Sequence, residues 1–132
     1  YQHNDNAHVE QRNGDWVRKH AFRYRYEGAH EMRLLNELWR QVMLRKNFLL
    51  PCVKATGWKH TPAGRKQRVY DQPRTPYQRL LDANVLDEHT AAKLAAIHEN
   101  LNPAQITRKI NTLQQQLIQL AAARTQADRP AA

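Results

Sequence analysis

A catalytic reading of this chain turns on Glu10. It lies in the run His3-Asn4-Asp5-Asn6-Ala7-His8-Val9-Glu10-Gln11-Arg12-Asn13, where small polar residues directly precede a carboxylate with polar and basic neighbours. Asn and Asp cap helices because their side-chain oxygens accept from backbone N–H groups that a helix start leaves orphaned. A helix from about Asn6 to His20 carries Glu10 in its second turn. Asn13 then sits three positions on and Val17 seven, with Arg18 flanking that face. A carboxylate beside an amide and a cation on one helical face suits a hard divalent metal next to a phosphate. The same spacing suits a solvated helix surface, and on spacing alone that is the simpler reading.

Other chemistries fit less well. His8-x-Glu10 matches half of the zinc-deaminase signature, but Pro51-Cys52 has no second Cys to complete the other half. His3, His8, Cys52 and His60 do not have the spacing of a zinc finger or knuckle. The chain has no glycine-rich phosphate loop, no G-x-S-x-G elbow and no Cys–His pairing suited to catalysis.

The string N-D-N-A-H-V-E-Q-R-N is followed by Y-E-G and then by R-V-Y-D-Q-P-R-T-P-Y-Q-R-L-L, which ends at Leu81. Together these resemble the C-terminal part of bacterial integrase-type transposases, members of the DDE recombinase superfamily with an RNase H-like catalytic core. The resemblance runs from Tyr1 to about Leu81. It implies that Glu10 is the third carboxylate of a catalytic triad. In that family the Glu and two Asp residues on the core sheet hold two Mg²⁺ ions. One ion activates water or a DNA 3′-hydroxyl, and the other stabilises the leaving oxygen of an in-line displacement. Asn13 falls where the family often has a polar DNA-facing residue. Position 14, basic in related retroviral integrases, is Gly here. Asp5, Asp15 and Asp71 match neither sheet Asp, so this chain alone is expected to be inert. A start at Tyr1, inside a family motif, leads to the expectation of a fragment.

The remaining sequence must supply the elements that position these residues. Its 132 residues suffice for a modest core. Lys and Arg number 21 against 12 Asp and Glu, a formal charge of +9. The excess is concentrated in residues 51–82, which hold seven basic and two acidic side chains. Such a field suits polyanions through phosphate contacts and counterion release. No apolar run reaches the roughly 18 residues of a membrane span, and no N-terminal segment looks like a secretion signal. The lone Cys52 excludes an internal disulfide and points to a reducing, cytoplasmic setting.

The fold expected is mainly α. Residues 1–50 would be the C-terminal end of an RNase H-like α/β core with most of its sheet missing. Residues 51–82 would be an extended basic arm punctuated by Pro and Gly, and residues 83–132 a helical tail. Gly14 lies in the interior of the first helix at a cost of up to about 1 kcal/mol relative to Ala, and the helix's few apolar positions (Val9, Trp16, Val17) need a partner surface. Phe22-Arg23-Tyr24-Arg25-Tyr26 alternates aromatic and basic residues, either to stack bases or, more simply, to cover a core. From His30 to Phe48 the positions Leu34, Leu35, Leu38, Trp39, Val42 and Met43 form a core-width helical stripe.

Gly64-Arg65-Lys66-Gln67-Arg68-Val69-Tyr70 reads as a short strand or extended arm, either DNA-contacting or simply solvated. Thr75 and Pro76 mark a capped helix start, as do Asp87 and the pair Asn102-Pro103. Ile106, Ile110, Leu113, Leu117 and Leu120 make a seam that either packs back on the domain or drives self-association. From Ala121 to Ala132 the chain is expected to fray. The DNA-contacting set expected is Asn13, Arg18, Lys19, Arg65, Lys66, Arg68 and Arg79. DNA is the expected partner, and a homo-oligomer or pairing with full-length transposase is also open. The other reading is a non-catalytic basic helical module for nucleic-acid binding or interaction.

Overall fold

The computed structural model describes residues 4–127, with side chains from residue 9 onward. His3, the His8 side chain and the final residues of the expected fraying tail lie outside the described residues. The chain is mostly helical with one small two-stranded sheet. It divides into two compact units, residues 1–42 with 104–132, and residues 43–103.

In the first unit, helix α1 (Asn4–Asn13) runs into a π-helical segment (Gly14–Arg18) and a short α2 (Lys19–Ala21). The helical stretch foreseen from Asn6 is therefore present, but its middle is a wider turn that begins at Gly14. A π turn changes the angular spacing of every later residue, so Val17 does not keep its α-helical stacking with Glu10, whereas Asn13, still within α1, does. A Cβ at Gly14 would meet nothing within 4 Å. No close approach calls for glycine there.

Helix α3 (Ala29–Leu44) follows, continued by a π-helical segment (Arg45–Leu49), and the long α6 (Pro103–Ala127) supplies the opposing surface. Leu38, Val42, Ile106, Ile110, Leu113, Leu117 and Ala121 are buried. The Ile/Leu seam of α6 thus packs back on its own unit, with its last buried position at Ala121. Leu120 is only half-buried. The expected stripe on α3 is largely present, with Leu38 and Val42 buried and Leu34, Leu35 and Trp39 half-buried, but it ends before Met43. Met43 is 51% exposed, whereas Glu31 and Gln41 are buried.

Polar bonds join the same elements. Lys109 Nζ lies 2.8 Å from Glu37 Oε1. Gln114 Nε2 donates to the His20 carbonyl at 2.8 Å. Arg124 pairs with Glu31 and donates to the Glu27 carbonyl at 2.8 Å. That anchor, with the buried Ala121, keeps α6 helical to Ala127, where fraying was expected. Glu31's own backbone N–H, and then Arg124, hold its carboxyl below the usual range.

Gly28 starts α3 at φ 101°, and an added Cβ would lie 3.0 Å from Glu31 Oε2. Phe22 adopts φ 61° and ψ −152°, a region that normally belongs to glycine and costs roughly 1–3 kcal/mol. It turns the chain out of α2 into the aromatic segment.

The second unit holds the sheet and two helices. Strands β1 (Ala55–His60) and β2 (Lys66–Tyr70) pair antiparallel. Helix α4 (Pro76–Ala83) starts as foreseen, with Thr75 as N-cap and Pro76 at its first position, and Gln78 completes a capping box. Thr75 Oγ1 accepts from Gln78 N at 3.1 Å, and the Gln78 side chain accepts from Thr75 N at 2.9 Å. Asn84 closes α4 in the left-handed conformation, which Asn tolerates. Helix α5 (Glu88–Glu99) is capped by Asp87, as expected. Phe48 and Tyr77 are buried, and with His98 they form a ring cluster with centroids 5.0 to 6.2 Å apart.

Candidate nucleic-acid interface

The hairpin of β1 and β2 is built by its turn. Gly64 N donates to the Thr61 carbonyl at 2.8 Å, Thr61 N to the Arg65 carbonyl at 2.9 Å, and Arg65 N to Thr61 Oγ1 at 3.1 Å. Pro62 presets the second turn position, and Gly64 takes the φ of 74° that closes it. The strands pair Trp58 with Arg68, Lys59 with Gln67 and His60 with Lys66. Side chains alternate across a strand, and directly opposed residues share a face. One face therefore carries Trp58, His60, Lys66, Arg68 and Tyr70, and the other Gly57, Lys59, Gln67 and Val69.

Neither face is covered. Every residue of β1 is exposed, and of β2 only Val69 is partly buried. Trp58 is 61% and Tyr70 51% exposed. The Arg68 guanidinium carbon lies 5.2 Å from the centre of the Trp58 ring, a cross-strand cation–π pair.

Charge is sorted along this section. Lys54, Lys59, Arg65, Lys66 and Arg68 lie between Lys54 and Tyr70, where there is no Asp or Glu. The two acidic residues nearby are each held by an arginine at the hairpin's base. Asp71 takes Arg79 through Nη1 to Oδ2 at 2.5 Å and Nη2 to Oδ1 at 3.1 Å, and Arg74 lies 3.5 Å from Asp82. Asp71 also accepts from Lys54 N at 2.7 Å, and Arg79 Nη2 donates to the Cys52 carbonyl at 2.7 Å. The Arg79 guanidinium and the Lys54 N–H hold the Asp71 carboxyl at about 2.

Arg79 was expected to contact DNA. Its guanidinium instead braces the hairpin against α4, with the Asp71 carboxylate and the Cys52 carbonyl taking donors on its two terminal nitrogens. Several residues of the motif R-V-Y-D-Q-P-R-T-P-Y-Q-R-L-L have a structural account: Asp71 with Arg79, Arg74 with Asp82, the Thr75–Gln78 cap, and Tyr77 in the core.

The other expected residues lie in the first unit, on the run from α1 to α2. Glu10, Asn13, Arg18 and Lys19 are all exposed. Lys19 forms an i, i+4 ion pair with Asp15 at 2.7 Å. Beside Glu10, Val9, Arg12, Asn13, Trp16 and Val17 line an open hollow of about 580 Å³. Val9 is 67% and Val17 42% exposed, so the apolar stripe of this helix is uncovered.

Among the described residues no group of three or more His, Cys, Asp or Glu side chains could hold a metal ion. A Mg²⁺ pair needs several oxygen ligands, so Glu10 with its described surroundings does not fit one.

The structure places Arg65, Lys66 and Arg68 together on the hairpin. It adds Trp58, His60, Tyr70, Lys54 and Lys59, which sequence reasoning missed. The signal available was the turn Thr61-Pro62-Ala63-Gly64 between Trp58-Lys59-His60 and Lys66-Gln67-Arg68, read as a hairpin loop containing Gly.

The segment Phe22–Tyr26 leaves α2 through a turn at Phe22–Arg23, with rings meeting edge-on at 6.1 Å (Phe22 and Tyr24) and 6.4 Å (Tyr24 and Tyr26). Tyr26 is anchored by its hydroxyl, which donates to the Ala21 carbonyl at 2.7 Å. Tyr24 is half exposed, whereas Phe22 and Tyr26 are half-buried.

No described helix is long and apolar enough to cross a membrane. Comparison with protein-family models, with curated proteins and with solved structures finds no match for this chain.

Proposed function

We propose that this chain is the C-terminal portion of an integrase-type transposase of the DDE superfamily, a class that cleaves DNA and joins strands in the bacterial cytoplasm. The observation that carries the DNA-binding part is the sorting of charge on the hairpin. Five cations lie between Lys54 and Tyr70 with no carboxylate among them, and the adjacent Asp71 and Asp82 are each paired to an arginine. Such a strip attracts the phosphate backbone and releases its counterions.

Support for the catalytic part comes from the string around Glu10 and from its setting. Glu10 is an exposed carboxylate on a helix whose neighbouring apolar stripe is open, as expected of a helix that packs on an RNase H-like sheet. In that reading the two Mg²⁺ ions belong to the complete enzyme, with Glu10 as one ligand among carboxylates from elsewhere. No catalytic step is assigned to this chain alone.

Binding of the full chain to duplex DNA at rising salt tests the proposal. The binding constant should fall steeply, with a log–log slope of about −0.9 per phosphate contacted. Replacing Arg65, Lys66 and Arg68 by Ala should flatten that slope. A flat response in the unaltered chain, or no binding at low salt, would overturn the DNA-binding reading.

One observation favours the second reading, a non-catalytic basic helical module. The first unit closes a core of its own, in which Leu38, Val42 and Leu117 are fully buried. A sharp, reversible melting transition supports that reading. Broad melting with aggregation supports a portion that lacks its packing partner.

A further inference from the structure

Resting on the reading of the hairpin as a DNA contact, we infer that its Trp58 face grips unpaired bases, so that the chain prefers DNA with a single-stranded segment to fully paired duplex. The starting point is an unburied aromatic pair. Trp58 and Tyr70 lie on one face, 61% and 51% exposed, and the opposed strand supplies only Arg68 and Ala55 as their direct partners. A two-stranded ribbon has no layer behind it to bury such rings. The same face carries His60, Lys66 and Arg68.

Rings for stacking set among cations for phosphates are the combination that holds single strands. Every base offers a flat face to a ring, while the charges follow the backbone without reading sequence. In a duplex those base faces are stacked on one another and closed to Trp58. Cations alone would favour the denser charge of the duplex, so a preference for single strands must come from the aromatic contribution. Arg68 lies 5.2 Å from the Trp58 ring centre, which orients the indole and leaves a cation beside any base stacked on it. The opposite face, with Gly57, Lys59, Gln67 and Val69, offers no ring.

The test is fluorescence-anisotropy titration of labelled oligonucleotides with the full chain. One oligonucleotide is a blunt duplex, one the same duplex with a single-stranded overhang, and one the single strand alone. The unaltered chain should bind the last two more tightly than the blunt duplex. Trp58→Leu keeps the apolar bulk and removes the ring, and it should weaken single-strand binding about ten- to hundredfold with little effect on the duplex. Trp58→Phe keeps a ring and should retain most of the preference. It also guards against a Leu variant that merely loosens the hairpin, which would weaken binding to both forms.

Equal affinity of the unaltered chain for all three DNAs would overturn this inference and leave the broader DNA-binding reading standing. A preference that survives Trp58→Leu unchanged would overturn the assignment to this face. No binding to any DNA at low salt would overturn both.

Discussion

Arg79 donates to both carboxylate oxygens of Asp71, at 2.5 and 3.1 Å, and with the same guanidinium reaches the Cys52 carbonyl at 2.7 Å. These bonds tie the first residue after β2, the chain entering β1 and helix α4 into one knot. A Lys cannot reproduce the bidentate fork. Arg79→Lys and Asp71→Asn should therefore both lower the melting midpoint of the second unit and speed hydrogen exchange at the strand amides. Arg74→Ala removes a looser pair, 3.5 Å long with both partners about half exposed, and should do much less. Equal effects from all three variants would show that the knot is not what anchors the hairpin.

Acid should act on this chain most strongly through two carboxylates, Glu37 and Asp71, with Glu31 also lowered. Arg40, Lys109 and Gln41 donate to Glu37 and lower it from 4.5 to about 2, and Arg79 with the Lys54 amide lowers Asp71 from 3.8 to about 2. A folded value below the unfolded one means that the unfolded chain takes up the proton first. The stabilisation is thus full above the unfolded values and is lost as pH falls toward 2. Denaturant unfolding at pH 6, 4, 3 and 2 should show stability declining from about pH 5 downward. Glu37→Gln should shallow that decline, and a variant that declines as steeply as the unaltered chain would refute the assignment.

The seam of α6 yields a graded series. Leu117 is 0% exposed, so Leu117→Ala should cost about 2–5 kcal/mol by lost transfer energy and a residual cavity. Leu120 is half-buried and should cost less. Met43, placed on the core stripe by periodicity but 51% exposed, should cost under about 1 kcal/mol as Met43→Ala. Thermal or denaturant melts of the three variants would rank them. A Met43 effect as large as that of Leu117 would contradict the exposed position of Met43 on α3.

Two glycines should respond in opposite directions to Ala. At Gly14 the space is open and the backbone helical, so Gly14→Ala should stabilise by up to about 1 kcal/mol. At Gly28 the φ of 101° and the 3.0 Å approach to Glu31 Oε2 make Ala strained. Gly28→Ala should destabilise the first unit and disturb the Glu31–Arg124 pair. Differential scanning calorimetry on both variants would separate the two signs.

Local terms were legible in the order of residues alone. Thr75-Pro76 with Gln78, Asp87 before α5, Pro103 at the start of α6 and the four–three spacing from Ile106 to Leu117 each act within a few positions. Their outcome scarcely depends on the rest of the chain, and the mainly helical class followed from them. The basic run at Arg65–Arg68 was legible too, because charge needs no fold to be counted.

Tertiary structure decided which of those charges remain unengaged. Arg65 and Arg79 look alike in sequence, yet Arg79 is held by a carboxylate eight positions earlier and by a carbonyl 27 positions earlier. The burial of Glu31 depends on Arg124, 93 positions away. Strand β1 has no local signature of its own, since Thr56, Gly57 and Lys59 do not alternate in polarity. It exists because the turn at Thr61–Gly64 brings it beside β2, and only that pairing puts Trp58, His60, Lys66 and Arg68 on one face. Caps and periodicity act over one or two turns of chain, whereas pairing across a sheet or between distant helices is settled only when the whole chain closes.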